Sequence, residues 1–186
     1  GFLSAVIAAK CRKLSATDFS KGMLKKAEKN CAAYRNISFC PADITALSDP
    51  DESYDKVVAG NVIHLLDEPG RALSEINRVC KTGGILIIPT YVKKGREGKR
   101  GRLSSLLRSA VVSFAGKAGA GFKRQFTPES YRSFFLDAGY EDVEIIMADG
   151  RIPCAVAVMT KKPSSRRNGD FREGSAAISS AGQKAL

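Results

Sequence analysis

The chain has 186 residues, 44% of them hydrophobic and 26% charged, which is the usage of one globular domain and excludes collagenous and disordered chains. Thirty Lys and Arg against 19 Asp and Glu give a formal charge of +11, a sign of an anionic partner but not of any fold. No stretch approaches the roughly 18–20 apolar residues of a membrane span, and the five cysteines (11, 31, 40, 80 and 154) are odd in number and contain no Cys-x-x-Cys pair. That pattern suits reduced thiols in the cytoplasm rather than a disulfide framework or a zinc site. The lone histidine, His64, excludes a multi-histidine centre, so no metal is expected.

The positive charge is local. Residues 1–92 hold 12 basic and 10 acidic residues, residues 93–124 hold 10 and one, and residues 125–186 hold 8 and 8.

Helix and strand signals alternate along the chain, the pattern of a mostly parallel sheet covered on both faces. Gly1 to about Arg12 reads as a helix, with Phe2, Leu3, Val6 and Ile7 on one face. It lacks the basic flank of a signal peptide. Leu14–Thr17 is a short strand ending at Asp18. Ser20 caps a helix reaching about Asn30, with Met23, Leu24 and Ala27 inward. Ile37–Ala42 is a strand containing Pro41, which cannot donate to a ladder and so belongs on an edge. After a turn-rich loop, Tyr54–Gly60 is the next strand. Asp67 is expected to cap the following helix, with Pro69 in its first turn. Ala72, Leu73, Ile76, Val79 and Cys80 form the buried stripe of that helix, and Gly83 and Gly84 end it. Ile85–Val92 is a near-continuous apolar strand, as suits one covered on both faces.

In the basic segment, Leu103, Leu106, Leu107, Ala110, Val111 and Phe114 mark an amphipathic helix, followed by a glycine- and alanine-rich break. Thr127 caps another helix with Tyr131, Phe134 and Phe135 inward, and Gly139 stops it. Val143–Ala148 and Ile152–Met159 flank Asp149-Gly150-Arg151, the signature of an antiparallel hairpin. Residues 163–186 read as a disordered tail.

Two carboxylates, Asp18 and Asp43, stand at the ends of successive strands. Ligands of open parallel sheets bind at that end, and an acid after the second strand commonly grips ribose hydroxyls. The glycine-rich loop of such sites lies roughly 20 residues before the acid. Gly1 lies 17 residues before Asp18, so it is placed to be the last glycine of such a loop.

The run Ala16-Thr17-Asp18-Phe19-Ser20-Lys21-Gly22-Met23-Leu24 resembles the second-strand motif of class I S-adenosylmethionine (SAM)-dependent methyltransferases. So do Pro41-Ala42-Asp43-Ile44, Ala59-Gly60-Asn61-Val62-Ile63-His64, and Glu75-Ile76-Asn77-Arg78 through Gly84, in that order and spacing. The resemblance covers residues 1–162. It implies an α/β, three-layer Rossmann-like methyltransferase sheet, mostly parallel with an antiparallel C-terminal hairpin, in the strand order 3-2-1-4-5-7-6. The first strand and most of the glycine loop of that family are not found, and the missing strand is a central one. The chain is therefore expected to be a fragment that binds SAM poorly or not at all.

The resemblance also assigns roles. Asp18 would hold the ribose hydroxyls, and Phe19 and Met23 would line the adenine. Asp43 would accept from the adenine amino group, and the Ile44 N–H would meet a ring nitrogen. Gly1 would belong to the cofactor loop, and Asn61 and Val62 would flank the methionine part. His64 and Tyr91 stand on the substrate side: His64 is either a base or a cap of its turn, and Tyr91 either faces substrate or packs. No catalytic residue is named, because methyl transfer from a sulfonium needs alignment more than acid–base help. The acceptor implied is a small molecule. Segment 93–124 is read as a substrate lid suited to an anionic acceptor, with a solvated helix, a nucleic-acid contact or a membrane contact as its alternatives. The rival functions are a nicotinamide-dependent oxidoreductase, which Asp43 and the closing hairpin disfavour, and a non-catalytic remnant acting through residues 93–124.

Overall fold

The computed structural model describes residues 1–93, 123–148 and 153–163. The amphipathic helix, the tail, the hairpin connection and nearly all of the basic segment lie outside these residues.

The elements are α1 (Phe2–Ala8), β1 (Leu14–Asp18), α2 (Lys21–Asn30), β2 (Ile37–Pro41), β3 (Tyr54–Val58), a 3-10 turn (Ile63–Leu65), α3 (Pro69–Val79), β4 (Cys80–Tyr91), α4 (Pro128–Asp137), β5 (Glu144–Ala148) and β6 (Cys154–Thr160). Among the described residues they form two sheets. One is the parallel pair β1-β2, and the other runs β3-β4-β6-β5. β3 and β4 are parallel, while β6 is antiparallel to β4 and to β5. Within each sheet the strand order is the one the resemblance implies, without its first strand. β2, with Pro41, is an edge as expected.

The two sheets point the same way. Ser15 lies beside the Tyr54 phenol near the starts of β1 and β3, and Arg12 acts electrostatically on Asp55 there. Beyond the other ends of β2 and β3, Asp43 interacts with Arg71 in the first turn of α3.

The core sits on the four-stranded sheet. α3 buries Ala72, Leu73, Ile76 and Val79, as its spacing predicts, and the first three share one core with Leu86 and Ile88 of β4. From the antiparallel side come Ala155, Ala157 and Met159. α4 adds an aromatic chain. Phe126 contacts Tyr131 and Phe134, both of these contact Phe135, and Phe135 contacts Tyr140, with ring centres 4.9–6.2 Å apart. The Tyr131 hydroxyl donates to the Ile88 carbonyl at 2.7 Å, tying α4 to β4. Thr127 caps α4 reciprocally with Ser130, and Gly139 follows the helix at φ 87°.

Several local expectations are corrected. α1 is shorter than the sequence suggests, and most of its apolar stripe faces solvent: Phe2 is 82% exposed and Val6 47%. Leu24 and Ala27 of α2 are buried, but Met23 is 49% exposed, because α2 rests on a two-stranded sheet too narrow to cover its whole face. Ser20 does cap α2. Asp67 does not cap α3. The cap position belongs to Glu68, and Asp67 forms an ion pair with Lys123 instead. Gly83 and Gly84 do not end α3; the chain turns directly into β4 at Cys80, and both glycines lie within that strand. β3 and β4 shift register there. Gly83 adopts φ 78°, and a side chain on Gly84 would approach the Asp55 carbonyl to 2.8 Å, so the irregularity requires them.

The aromatic chain predicts an ordered pair of losses. Phe135→Ala should cost about 3–5 kcal/mol through the cavity it leaves. Tyr131→Phe should cost only about 1 kcal/mol, the net worth of one buried hydrogen bond. Urea unfolding of the two variants measures both.

Candidate functional site

The candidate site is built at the carboxyl ends of the strands, half of it on each sheet. On the two-stranded sheet, β1 delivers Asp18. Its Oδ1 accepts from the Ser20 N–H at 2.8 Å, which fixes the turn into α2. The Ala42 N–H donates to the Asp18 carbonyl, so the ends of β1 and β2 stay together and Asp43 follows beside Asp18. Asp43 Oδ1 accepts from both the N–H (2.8 Å) and the hydroxyl (2.7 Å) of Thr45. These two hydrogen bonds hold its carboxyl below the usual range. Each carboxylate thus spends one oxygen on its own turn, and its second has no hydrogen-bond partner among the described residues. Phe19 (81% exposed) and Met23 present apolar surface next to Asp18. Ile44 is half-buried and packs against the core of the other sheet.

On the four-stranded sheet, the segment after β3 carries Asn61 and Val62. The Asn61 N–H donates to the Pro89 carbonyl of β4, and its backbone adopts φ 54°, a left-handed conformation that Asn tolerates better than most residues. Its side-chain oxygen is buried and has no hydrogen-bond partner among the described residues. Val62 packs against the core. Next comes His64, 2% exposed. Its Nδ1 lies 2.8 Å from the hydroxyl of Thr90, which is fully buried. Burial pushes the imidazole pKa down. The Tyr91 ring stands edge-on to His64 with centres 6.0 Å apart and is partly exposed. The His64 carbonyl accepts from the N–H groups of Lys123 and Arg124.

The structure therefore groups Asp18, Phe19, Met23, Asp43 and Ile44 on one side and Asn61, Val62, His64 and Tyr91 on the other. Gly1 does not join either group. It packs against Ala27 and Asn30, at the far end of α2 from Asp18, where an added Cβ would lie 2.8 Å from the Ala27 Cα. Its carbonyl accepts from the Cys31 thiol at 3.4 Å. The glycine is explained there by close approach of two helices.

Sequence reasoning missed three residues. Thr90, the partner of His64, is masked by the apolar run around it. Glu75 and Arg78 reach from α3 to hold the loop that carries Asp43 and Ile44. Both lie in a run that resembles a family motif, but the signal for this role was only two opposite charges three residues apart on a helix.

A cleft of about 580 Å³ lined by Leu73, Arg78, Tyr140 and Lys161 lies at the opposite end of the sheet, where β4 begins and β6 ends. Its charges are already paired, Arg78 with Glu75 and Asp51, and Lys162 with Glu141 and Asp142. It is therefore not the site indicated by the strand ends. Among the described residues no cluster of His, Cys, Asp and Glu could hold a metal, and no helix is long and apolar enough to cross a membrane.

Comparison with known proteins agrees with this geometry. Residues 1–88 match the methyltransferase domain family model. A highly reducing polyketide synthase of Aspergillus nomiae is 29% identical over 165 residues, 86% of this chain and 6% of that protein. A demethylmenaquinone methyltransferase of Clavibacter sepedonicus is 36% identical over 88 residues, 47% of this chain and 36% of that one. The chain thus spans well under two thirds of either relative. The structure of a SAM-dependent methyltransferase from Methanosarcina mazei superposes with a TM-score of 0.61 at 16% identity, covering 84% of this chain and 85% of the other. The chain thus has the Rossmann-like fold of solved SAM-dependent methyltransferases, and residues 1–88, just under half of it, match the methyltransferase domain model.

Proposed function

We propose that the strand ends of β1, β2 and β3 bind SAM and present its methyl group to a small acceptor. The observation that carries this reading is the pairing of Asp18 and Asp43, each with one carboxylate oxygen fixed and the other unpartnered, beside exposed Phe19 and Met23. A carboxylate so held accepts both hydroxyls of a ribose, or an amino group, without rotating away. The apolar neighbours suit an adenine ring. The orphaned Asn61 oxygen is an acceptor suited to the charged amino group of a methionine moiety.

Bound SAM would supply a methyl on a positively charged sulfur, a centre open to direct displacement. The protein's part is then to orient and to exclude water. His64 is buried, neutral and tied to Thr90. It supports the turn and the Tyr91 ring rather than carrying charge at neutral pH. Lys93 and Arg124 stand exposed at this end, which favours an acceptor bearing negative charge. The site's halves lie on separate sheets, so affinity for SAM should be weak in residues 1–186.

Titrating SAM into isotope-labelled protein should shift the amides of Phe19, Asp43, Ile44 and Val62 together. Asp18→Ala should weaken that response by about 1–3 kcal/mol, the loss of charge-assisted hydrogen bonds to the diol. Shifts confined to other residues, or an unchanged response in the variant, would refute the reading.

The burial of His64 has a pH signature. Its pKa is lowered in the folded protein, so the unfolded chain binds the proton more readily. Stability is therefore complete above the ordinary histidine value of about 6.5 and falls as pH drops below it. Denaturation curves between about pH 7 and pH 5 should show this decline, and His64→Gln should remove its histidine component.

A further inference from the structure

Within the first 92 residues the charge is unevenly divided. Residues 1–36 hold 8 basic and 2 acidic residues, whereas residues 37–92 hold 4 and 8. The basic side chains of the first group are all exposed, and none forms an ion pair among the described residues. On the four-stranded half, by contrast, Arg71, Arg78, Lys81 and Lys161 each hold a carboxylate.

Four of these unpaired cations ride on α2. At about 100° of turn per residue, Lys21, Lys25, Lys29 and Lys26 span an arc of about 140°. That arc faces away from the buried Leu24 and Ala27, and Gly22 is the other residue within it. It carries no acid, no aromatic ring and no apolar side chain. Lys21–Lys25 and Lys25–Lys29 are like charges four residues apart, which repel. Lys21 also stands in the first turn, at the positive end of the helix dipole. The remaining four cations meet at the other end of α2. There the Asn36 amide donates to the Ala8 and Cys11 carbonyls, and the Leu14 N–H donates to the Asn36 carbonyl. These bonds bring Lys10, Arg12 and Lys13 beside Arg35.

We infer that the outer face of α2 and the basic corner at its end form a binding surface for the phosphodiester backbone of a nucleic acid. A bound polyanion relieves the repulsion that the isolated helix carries. Lysine is a flexible point charge suited to phosphates, and a face without aromatic rings has nothing on which a base can stack. The surface therefore grips the backbone without reading sequence. α2 is about 15 Å long, a span over which a duplex presents about nine charges. An anionic membrane is the poorer partner, because a helix lying in a bilayer interface needs apolar side chains to bury. SAM takes no part in this contact, so the proposal stands apart from the cofactor reading.

Fluorescence anisotropy of the 186-residue chain with duplexes of about 20 base pairs, one RNA and one DNA, tests it. Each phosphate contact contributes about 0.9 to the fall of log affinity with log salt. Changing Lys21, Lys25, Lys26 and Lys29 together to Gln should lower that slope by about 3 to 4. The variant should be at least as resistant to heat as the parent, because like-charge repulsion has been removed, so lost binding would not reflect misfolding. A second variant with Lys94, Arg96, Lys99 and Arg100 changed to Gln alters the net charge equally and should lose less. Loss of either duplex in this pattern supports the proposal, and comparing the two shows which backbone is taken. Four results would overturn it: no duplex binding by the parent at about 50 mM salt, an unchanged slope in the α2 variant, an equal or larger loss in the second variant, or α2 lysines needed for phosphatidylserine vesicles but not for either duplex.

Discussion

The relation between the two sheets depends on one guanidinium. Arg78, near the end of α3, uses all five of its N–H donors. Two go to the Glu75 carboxylate at 2.9 Å each, one to the Leu47 carbonyl at 2.9 Å, one to the Asp49 carbonyl and one to Asp51 at 2.8 Å. Glu75 in turn accepts from the Leu47 N–H at 2.8 Å. The segment so gripped connects β2 to β3, the step from one sheet to the other. With no ladder between β1 and β3, this fork holds the connection in place. Lysine offers a single point of charge and could not satisfy the same set. The loop that carries Asp43 and Ile44 is anchored at its far end by the same residues, so the geometry of the site rests on a contact made well away from it.

The parts of the structure legible in the sequence were those set by local chemistry. Ser20 and Thr127 cap their helices because their hydroxyls reach the first free N–H groups. The stripe from Ala72 to Val79 is buried because its spacing leaves a polar face only on the other side. Pro41 marks an edge because it lacks a donor. Less legible were features decided by distant partners. Asp67 is a good cap by type, but Lys123 competes for it across the fold. Met23 and the face of α1 are apolar, yet their burial requires a sheet wide enough to cover them. Gly83 and Gly84 look like a helix stop, but serve a register shift that depends on β3.

The site divides in the same way. The strand-end carboxylates followed from chain order and residue type, and the structure brings Asp18 and Asp43 together. Gly1 was placed by counting along the chain, and counting does not show its packing against Ala27 and Asn30 in the second half of α2. His64 illustrates a related point. A lone histidine near a ligand site invites a role as a base, but complete burial beside Thr90 favours the neutral imidazole and a supporting role.

Where the basic segment joins the fold, its two ends meet. Val92 bridges to Phe126, the Lys93 N–H donates to the Phe126 carbonyl, and the Lys123 and Arg124 N–H groups converge on the His64 carbonyl. The chain therefore leaves and re-enters the domain through one fastened doorway. Closing a longer excursion costs little, about 0.6 kcal/mol for each doubling of length. The loop-closure cost of the stretch between these ends therefore changes little with its length.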